Sequence, residues 1–541
     1  MISTIRSLRR FLAGATMLLM SAWSAGAGST TESVDYENDV APIIAQHCSG
    51  CHQPNQSGPF PLLTFEDVAT QAETIEAVIA EGYMPPWKPV DTGVKFVNER
   101  HINDHDREVI SAWIAAGKPR GQRPQSSQVS AVGTAEQSDQ TDWLLGQPDL
   151  VVSMKAPFKI PADGPDLYRS FVFEVGLTED RWIKAMEVRP SARGAMHHAL
   201  FFVDPTGKLR ERHGSDGRTG FNGMSFLNAA WTGADGIAEN FNRGLGGYVP
   251  GATPTRLPGD LARKLPAGSD IVMQTHFHPI GRSVTEQATL AIYFADKAPS
   301  HELIPLQLPP LFGIGAGIDV PAGEANFVVR HSYTLPIDVS AIEVGGHAHY
   351  ICRSMRLDAT LPGGRMRTLL RIEDWDLDWQ DSYQFADAID LPAGTRLDVC
   401  IKYDNSAANP SNPFTPPRQI AWGRESTDEM GSMILNLVAR NESERDVLIK
   451  DIQRNTKNAL RKRILSQQQK LGIHLPTRMP NVRLLMFFDQ NGDQRIQSSE
   501  VPKRFRSRLF DFFDSDQDAT LDEAEIRQLR TFISELMSDE K

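Results

Sequence analysis

Six of the 14 histidines in this 541-residue chain occur in three close pairs, and paired imidazoles suit a borderline metal ion such as copper or zinc. The pairs are His197 with His198, His276 with His278, and His347 with His349. Residues two apart on a strand face the same side, so a His-x-His sequence presents two imidazoles together. One such pair is as readily explained by a structural histidine cluster, but three pairs in one region of the chain indicate metal ligands.

The sequence around these pairs resembles the copper type II ascorbate-dependent monooxygenases, the family of the peptide-amidating and dopamine β-hydroxylating enzymes. Four segments carry the resemblance in the family's order, within roughly residues 148–440: 196–201, 274–278, 346–349 and 428–430. The resemblance implies two copper ions. An electron-relay copper would be bound by His197, His198 and His276.

The resemblance also implies an oxygen-binding, catalytic copper held by His347, His349 and Met430. A soft thioether stabilises Cu(I), the state that meets O₂. Met433 is close to Met430 in sequence, and either methionine could instead be a core residue. His278 has no ligand role in this scheme.

Two positions depart from the amidating enzymes, which hold a substrate carboxylate with an arginine and a tyrosine. Gly345 stands two residues before His347, where those enzymes have the arginine, and Ile434 stands four residues after Met430, where they have the tyrosine. Without a charge-assisted clamp, a glycine-extended peptide should bind poorly. We therefore expect C–H hydroxylation of a different small organic substrate.

Cys48-Ser49-Gly50-Cys51-His52 is the pattern for covalent attachment of haem c, with His52 as the proximal iron ligand. In this segment the chain resembles cytochrome c. Met84, on a proline-rich loop, is the best sixth ligand, and His101 and His105 are alternatives. The same cysteines could form a redox dithiol or a zinc site, but a zinc site needs a second ligand pair and none is nearby.

Two acidic twelve-residue loops near the C-terminus resemble a pair of calcium-binding EF-hands. Their ligand positions are filled by Asp489, Asn491, Asp493 and Glu500 in the first loop, and by Asp514, Asp516, Asp518 and Glu525 in the second. Gln494 and Ala519 replace the glycine at loop position 6, where positive φ is required, so reduced affinity is expected. Solvated acidic turns are the alternative.

The secondary structure predicted around these residues indicates a multidomain chain. Helical spacing after Thr64, a plausible N-cap, predicts helices before and after residue 82, and short alternating runs from about residue 148 predict antiparallel strands. The predicted units are an all-α cytochrome c domain (35–120), a linker (121–147), two jelly-roll-like antiparallel β-sandwich copper domains (148–300 and 301–440), a helical connector (441–480) and a small all-α EF-hand domain (481–541).

The N-terminal segment, the net charge and the cysteines indicate where the protein is located and which partners it binds. Residues 1–27 have the basic start, short apolar run and small-residue site of a signal peptide, and Arg9-Arg10 is a loose match to a twin-arginine signal. A periplasmic or secreted protein with no membrane span is expected, and the net charge of −12 argues against nucleic-acid binding. In an oxidising compartment Cys352 and Cys400 could pair, the alternative being two buried thiols.

Together these features predict a copper monooxygenase. O₂, two electrons and two protons would convert a C–H bond to an alcohol and release water. An external donor would reduce the haem, which would replace or supplement ascorbate as the reductant of the copper pair. Two alternatives remain: a non-catalytic haem and copper electron-transfer or copper-binding protein, and an adhesion module stiffened by calcium.

Overall fold

The computed structural model describes residues 34–53, 58–122, 143–164, 166–222, 244–250, 253–423, 425–471, 488–501, 506, 509–510, 513–514 and 518–537. The predicted signal peptide, most of the predicted linker and Asp516 lie outside the described residues. Within the described part of the chain, β-sheets of sandwich and jelly-roll-like type predominate, as expected, and helices are few.

Short helices near the N-terminus pack around Trp113, which is fully buried. They follow a π-helical turn, Tyr36–Val40, and are α1 (Ala41–His47), α2 (Phe65–Thr70), α3 (Ala72–Ala80) and α4 (Asp104–Ala115). Thr64 and Asp67 form the capping box that starts α2, because each side chain accepts the other residue's backbone N–H. Gly82 has φ +69° just after α3, which confirms the predicted helix end there.

The first β-sandwich buries large apolar side chains, Phe158, Phe171 and Phe277 among them, between its two main sheets. Their strand orders are β1-β11-β4-β8 and β6-β3-β9-β5-β7, and β2 pairs with β10. The strands are β1 (Leu150–Ser153), β2 (Phe158–Ile160), β3 (Leu167–Glu174), β4 (Arg181–Arg189), β5 (Met196–Asp204), β6 (Phe221–Asn222), β7 (Gly244–Tyr248), β8 (Arg263–Leu265), β9 (Asp270–Phe277), β10 (Val284–Glu286) and β11 (Thr289–Phe294). A 3₁₀ turn, Lys208–Arg212, follows β5.

The second β-sandwich has the same plan, with four-stranded sheets ordered β12-β21-β15-β18 and β14-β19-β16-β17, and β13 paired with β20. Its strands are β12 (Ile304–Leu308), β13 (Asp319–Val320), β14 (Phe327–Thr334), β15 (Val339–Ala348), β16 (Cys352–Thr360), β17 (Met366–Ile372), β18 (Ser382–Leu391), β19 (Arg396–Tyr403), β20 (Ile420–Ala421) and β21 (Gly431–Ala439). Turns of 3₁₀ helix span Leu311–Ala316 and Leu377–Trp379.

The predicted disulfide between Cys352 and Cys400 is wrong, because both residues are free thiols. Strand register gives the reason. Cys352 pairs with Tyr403, whereas Cys400 pairs with Arg356 further along the same two strands. This offset separates the two Cα atoms by more than the roughly 7 Å that a disulfide can span.

Residues 87–100, which we call the strap, leave the N-terminal helices and lie on the second sandwich. Val90 donates a backbone hydrogen bond to Arg371 on β17, and Val97 donates one to Gln384 on β18. Phe96 stacks on Phe385, with ring centroids 5.5 Å apart. The strap therefore belongs to the second sandwich's core, which the predicted helical unit of residues 35–120 did not anticipate.

The C-terminal part begins with a long helix, α5 (Glu442–Leu471), where the connector was predicted to be helical. It packs against the second sandwich, since Leu448 is buried and Tyr333 donates a hydrogen bond to Asp451 at 2.9 Å. Beyond it, β22 (Ile496–Gln497) pairs with β23 (Thr520–Leu521), and α6 (Glu523–Met537) follows. None of the helices in the described part of the chain has the length and apolar character needed to cross a bilayer.

Candidate metal centres

His197, His198 and His276 form one compact pocket in the first sandwich. Their ligand nitrogens all lie within 4.8 Å of one another. His198 on β5 pairs with His276 on β9, and the register shifts between Met196 and His198. Adjacent residues of a regular strand point to opposite faces, so this irregularity lets two consecutive histidines serve one site.

The ring nitrogens of the three histidines differ in their hydrogen-bond partners. Nδ1 of His197 and Nδ1 of His198 are 3.1 Å apart. Nδ1 of His276 is buried with no hydrogen-bond partner, whereas its Nε2 lies 2.8 Å from the carboxylate of Asp166. A metal-ligating histidine commonly donates its other ring N–H to a carboxylate, so the geometry fits a three-imidazole metal site.

Asp166 also joins this pocket to the second sandwich. Its carboxylate lies 2.8 Å from Nδ1 of His278 and accepts a 2.6 Å hydrogen bond from Ser426. Although burial would raise the pKa of Asp166, hydrogen bonds from His276, Ser426 and His278 hold it below its usual range. Tyr168 stacks on His276 with ring centroids 4.5 Å apart. His278 thus contacts the residue that orients a ligand, in keeping with its exclusion from the predicted ligand set.

The second pocket is built on β15 and the start of β21. His347 and His349 share one face of β15, with ring centroids 5.3 Å apart. Nε2 of His347 is buried without a hydrogen-bond partner. Nδ1 of His349 lies 3.3 Å from the carbonyl oxygen of Asp428, which leaves Nε2 as its outward donor. Two Nε2 atoms are therefore available here, whereas in the first pocket Nδ1 of His276 is the unpartnered ring nitrogen.

Strand alternation decides between the two methionines. His347 pairs with Ser432, and Gly346 pairs with Met433. Met433 therefore shares the side of the sheet on which a Cβ at Gly346 would meet Met355, which is the sandwich core. Met430 lies on the histidines' side and lines the cavity described below. Of the two methionines, Met430 is the one placed to serve as a ligand.

Glu429 ties the two ligand segments of this pocket together, a role that its sequence position did not reveal. It is fully buried, and one carboxylate oxygen accepts the backbone N–H groups of His349 (2.6 Å) and Met430 (2.9 Å). Burial raises the pKa of Glu429 to about 8. The signal available in the sequence was an acidic residue directly before a predicted ligand.

Both pockets open into one cavity of about 430 Å³ between the sandwiches, lined by His198, His276, His347, His349 and Met430. Burial, reinforced by the imidazoles of both pockets, lowers the pKa of His198 well below its usual value. Burial likewise lowers the pKa of His347 to about 4 and that of His349 well below its usual value. These imidazoles are neutral at physiological pH, which is the form that binds a metal ion.

The haem-attachment pattern lies at the end of α1, with Cys48 as its C-cap. Nδ1 of His52 is 3.1 Å from the carbonyl oxygen of Phe60, so its Nε2 can face an iron. Met84 is half-buried, whereas the alternatives His101 and His105 are exposed.

The acidic loops have the backbone strain that the sequence predicted. Gln494 and Ala519 adopt φ of +65° and +64°, where glycine is favoured. Asp489 accepts the N–H groups of Gly492 and Gln494, and Glu500 accepts those of Gln490, Asn491 and Gln497. In the second loop, Asp514 accepts the N–H of Asp518, and Glu525 accepts that of Asp522.

No protein-family model and no curated protein matches the chain. Solved structures show only distant likeness. The major capsid protein P2 of bacteriophage PM2 covers 54% of this chain and 98% of its own, at 10% identity and a TM-score of 0.21. A peptide-N(4)-(N-acetyl-β-D-glucosaminyl) asparagine amidase covers 54% and 97%, also at 10% identity and a TM-score of 0.21. At these TM-scores neither likeness bears on the function of this chain.

Proposed function

We propose that this chain is a copper-dependent monooxygenase of the ascorbate-dependent type, which uses O₂ to hydroxylate a C–H bond of a small organic molecule. One observation carries the proposal. Two pockets of imidazoles, made by residues far apart in sequence, lie at one cavity, and each pocket contains one ring nitrogen that is buried without a hydrogen-bond partner. Structural histidine clusters rarely leave ring nitrogens buried and unpartnered, because a buried polar atom without a partner costs about 1–3 kcal/mol.

Each pocket has a donor set suited to a separate task. His197, His198 and His276 would hold a relay copper through Nδ1, with Asp166 fixing the tautomer of His276. His347 and His349 would hold the catalytic copper through Nε2, together with the sulfur of Met430. When bound, the two copper ions would store two electrons and activate O₂.

The N-terminal helices would supply electrons as a c-type cytochrome, with Cys48, Cys51 and His52 attaching the haem and Met84 as the sixth ligand. A periplasmic or secreted location and structural calcium sites in the acidic loops belong to the same proposal.

The decisive experiment measures metal content and oxygen consumption together. The mature protein should contain two copper ions and one haem, and should consume O₂ when the haem is reduced and a substrate is present. The variant His347→Ala should lose one copper and all oxygen consumption, while His331→Ala, a half-buried histidine of β14 outside the cavity lining, should lose neither.

A fully metallated protein that consumes no oxygen with any substrate would contradict the proposal. It would favour the second candidate, a haem and copper electron carrier. Copper content that is unaffected by both His347→Ala and His276→Ala would exclude both candidates.

A further inference from the structure

We propose that the substrate of this cavity is a neutral, mainly apolar small molecule, held against the ring of Phe312 and not by a charged clamp. The inference rests on the proposed function, since it names the substrate class of that same site. It is carried by the side chains around His347, by the backbone that presents Phe312, and by the pairing of charges at the cavity rim.

The wall next to His347 is apolar. The ring of Phe312 packs edge-on against the imidazole of His347, with centroids 5.1 Å apart. Gly345 and Ile434 are direct cross-strand partners, two pairs along from His347 and Ser432 and on the same face of the sheet. Both line the cavity, so the two positions that would carry a carboxylate clamp form a single uncharged patch beside the imidazole.

Phe312 is held in place by a strained turn. Leu311 and Phe312 have φ of +54° and +53°, which is unfavourable for bulky residues. The turn is fixed because Gln307 accepts the backbone N–H of Phe312 at 3.3 Å and donates to Ser432 at 3.0 Å, while Trp422 donates its indole N–H to the carbonyl oxygen of Phe312 at 3.0 Å. Strain of this kind, costing about 1–3 kcal/mol per residue, persists where the surroundings impose it, as at ligand sites.

Three of the five cationic side chains that line the cavity lie beside carboxylates, and the other two donate to backbone carbonyl oxygens. Arg100 of the strap pairs with Asp381, Arg263 lies 3.6 Å from Glu343, and Arg189 lies 3.7 Å from Glu187. Lys184 donates to the carbonyl oxygens of Gly259 and Leu261, and Arg193 donates to that of Pro190. An ionic substrate would lose its hydration shell on entry and would have to compete for cations that are already engaged.

The volume of the cavity fits a small apolar substrate. A cavity of about 430 Å³ is within the usual range of roughly 300–1,000 Å³ for small-molecule sites, and such sites are mostly apolar. It admits one substituted aromatic ring or a branched aliphatic chain of similar size.

The test uses three probes of one shape: benzyl alcohol, benzoate and benzylammonium. Each is titrated calorimetrically into the full-length protein loaded with Cu(I) and haem, without oxygen, so that no turnover is needed. Benzyl alcohol should bind at least about tenfold more tightly than either ion. Equal or tighter binding of an ion, or no binding by any probe, would overturn the inference.

Two variants make the test specific to the proposed wall. Phe312→Ala should weaken benzyl alcohol binding about tenfold, because one aromatic contact is lost, whereas Phe294→Ala, a half-buried phenylalanine outside the cavity lining, should leave it unchanged. Ile434→Lys should instead favour benzoate over benzyl alcohol. A Phe312→Ala protein that folds and binds benzyl alcohol normally, or an Ile434→Lys protein that shows no shift toward benzoate, would also overturn the inference.

Failure of the two proposals gives different results. If the protein prefers benzyl alcohol but consumes no oxygen with any substrate, the monooxygenase proposal is contradicted. The inference about the cavity is then unaffected. Oxygen consumption that only charged substrates support would favour the monooxygenase proposal and contradict the inference about the cavity.

Discussion

The two candidate metal pockets use a carboxyl group in different ways. In the three-histidine pocket, Asp166 contacts a ring nitrogen of His276 and so fixes the orientation of one imidazole. In the other pocket, Glu429 accepts the backbone N–H groups of His349 and Met430 and so fixes the distance between two ligand segments. Asp166 therefore restrains a ligand side chain directly, which suits a site whose geometry stays constant. Glu429 restrains only the backbone of two ligands, so their side chains can still move.

The largest expected effect comes from removing one ligand of each pocket. His276→Ala and His347→Ala should each lose one copper, but only His347→Ala should abolish CO binding to Cu(I), because the thioether-containing pocket is the one that meets the gas. Copper analysis and infrared spectra of the CO adduct check this. CO binding lost in His276→Ala and kept in His347→Ala would reverse the roles of the pockets.

Glu429→Ala should destabilise the protein by about 2–4 kcal/mol, since two buried N–H groups lose their acceptor and a cavity remains. Glu429→Gln should cost less, because an amide oxygen can still accept both hydrogen bonds. Urea unfolding of the metal-free variants measures both changes. If Glu429→Ala is as stable as the parent protein, Glu429 does not stabilise the two ligand segments.

Glu429 also predicts a pH dependence. Its pKa is raised from 4.5 to about 8, so the native state keeps a proton that the unfolded chain releases. Between these two values the stability due to this group falls as pH rises, by up to about 1.4 kcal/mol per pH unit. Metal-free Glu429→Gln should lack this component, so its stability relative to the parent should improve from pH 5 to pH 8. A constant difference across that range would contradict the raised pKa.

Asp166→Asn should weaken copper binding at the three-histidine pocket about 10–100-fold and leave the other pocket unchanged, as loss of a carboxylate partner does in other metal sites. Ser426→Ala should have a smaller effect on affinity but should change the spacing of the two coppers, which dipolar broadening in Cu(II) spectra reports. Ser340→Ala removes a comparable but exposed serine–aspartate bond and is the control. Uniform loss of affinity at both pockets would mean that Asp166 acts on overall stability.

The smallest effect is expected for His278→Ala. His278 is exposed and Asp166 keeps two other partners, so copper affinity should change by less than about threefold. Loss of a copper ion in this variant would show that the predicted ligand set is wrong.

Sequence alone predicted the β architecture, because strand alternation is a local pattern, and it predicted that His347 and His349 share one face for the same reason. The grouping of His197, His198 and His276 followed from the resemblance to the monooxygenase family, since alternation by itself would have paired His276 with His278. The sequence did not predict the register irregularity before His198, which depends on how β5 pairs with β9. The roles of Asp166 and Glu429 were not predicted, because their partners are remote in sequence or are backbone groups. The strap was missed because its alternating Val94 and Phe96 were assigned with the neighbouring helices, although their core lies some 280 residues further along the chain.

The strap has a consequence for anyone who divides this chain into modules. Trp87 and Arg100 line the cavity although they are encoded ahead of both sandwiches. Excising the first 120 residues to obtain a haem-free oxygenase would therefore strip aromatic cover from Tyr383 and Phe385 and widen the mouth of the site. An autonomous fragment would have to retain residues 87–100, as a grafted segment or a peptide supplied in trans.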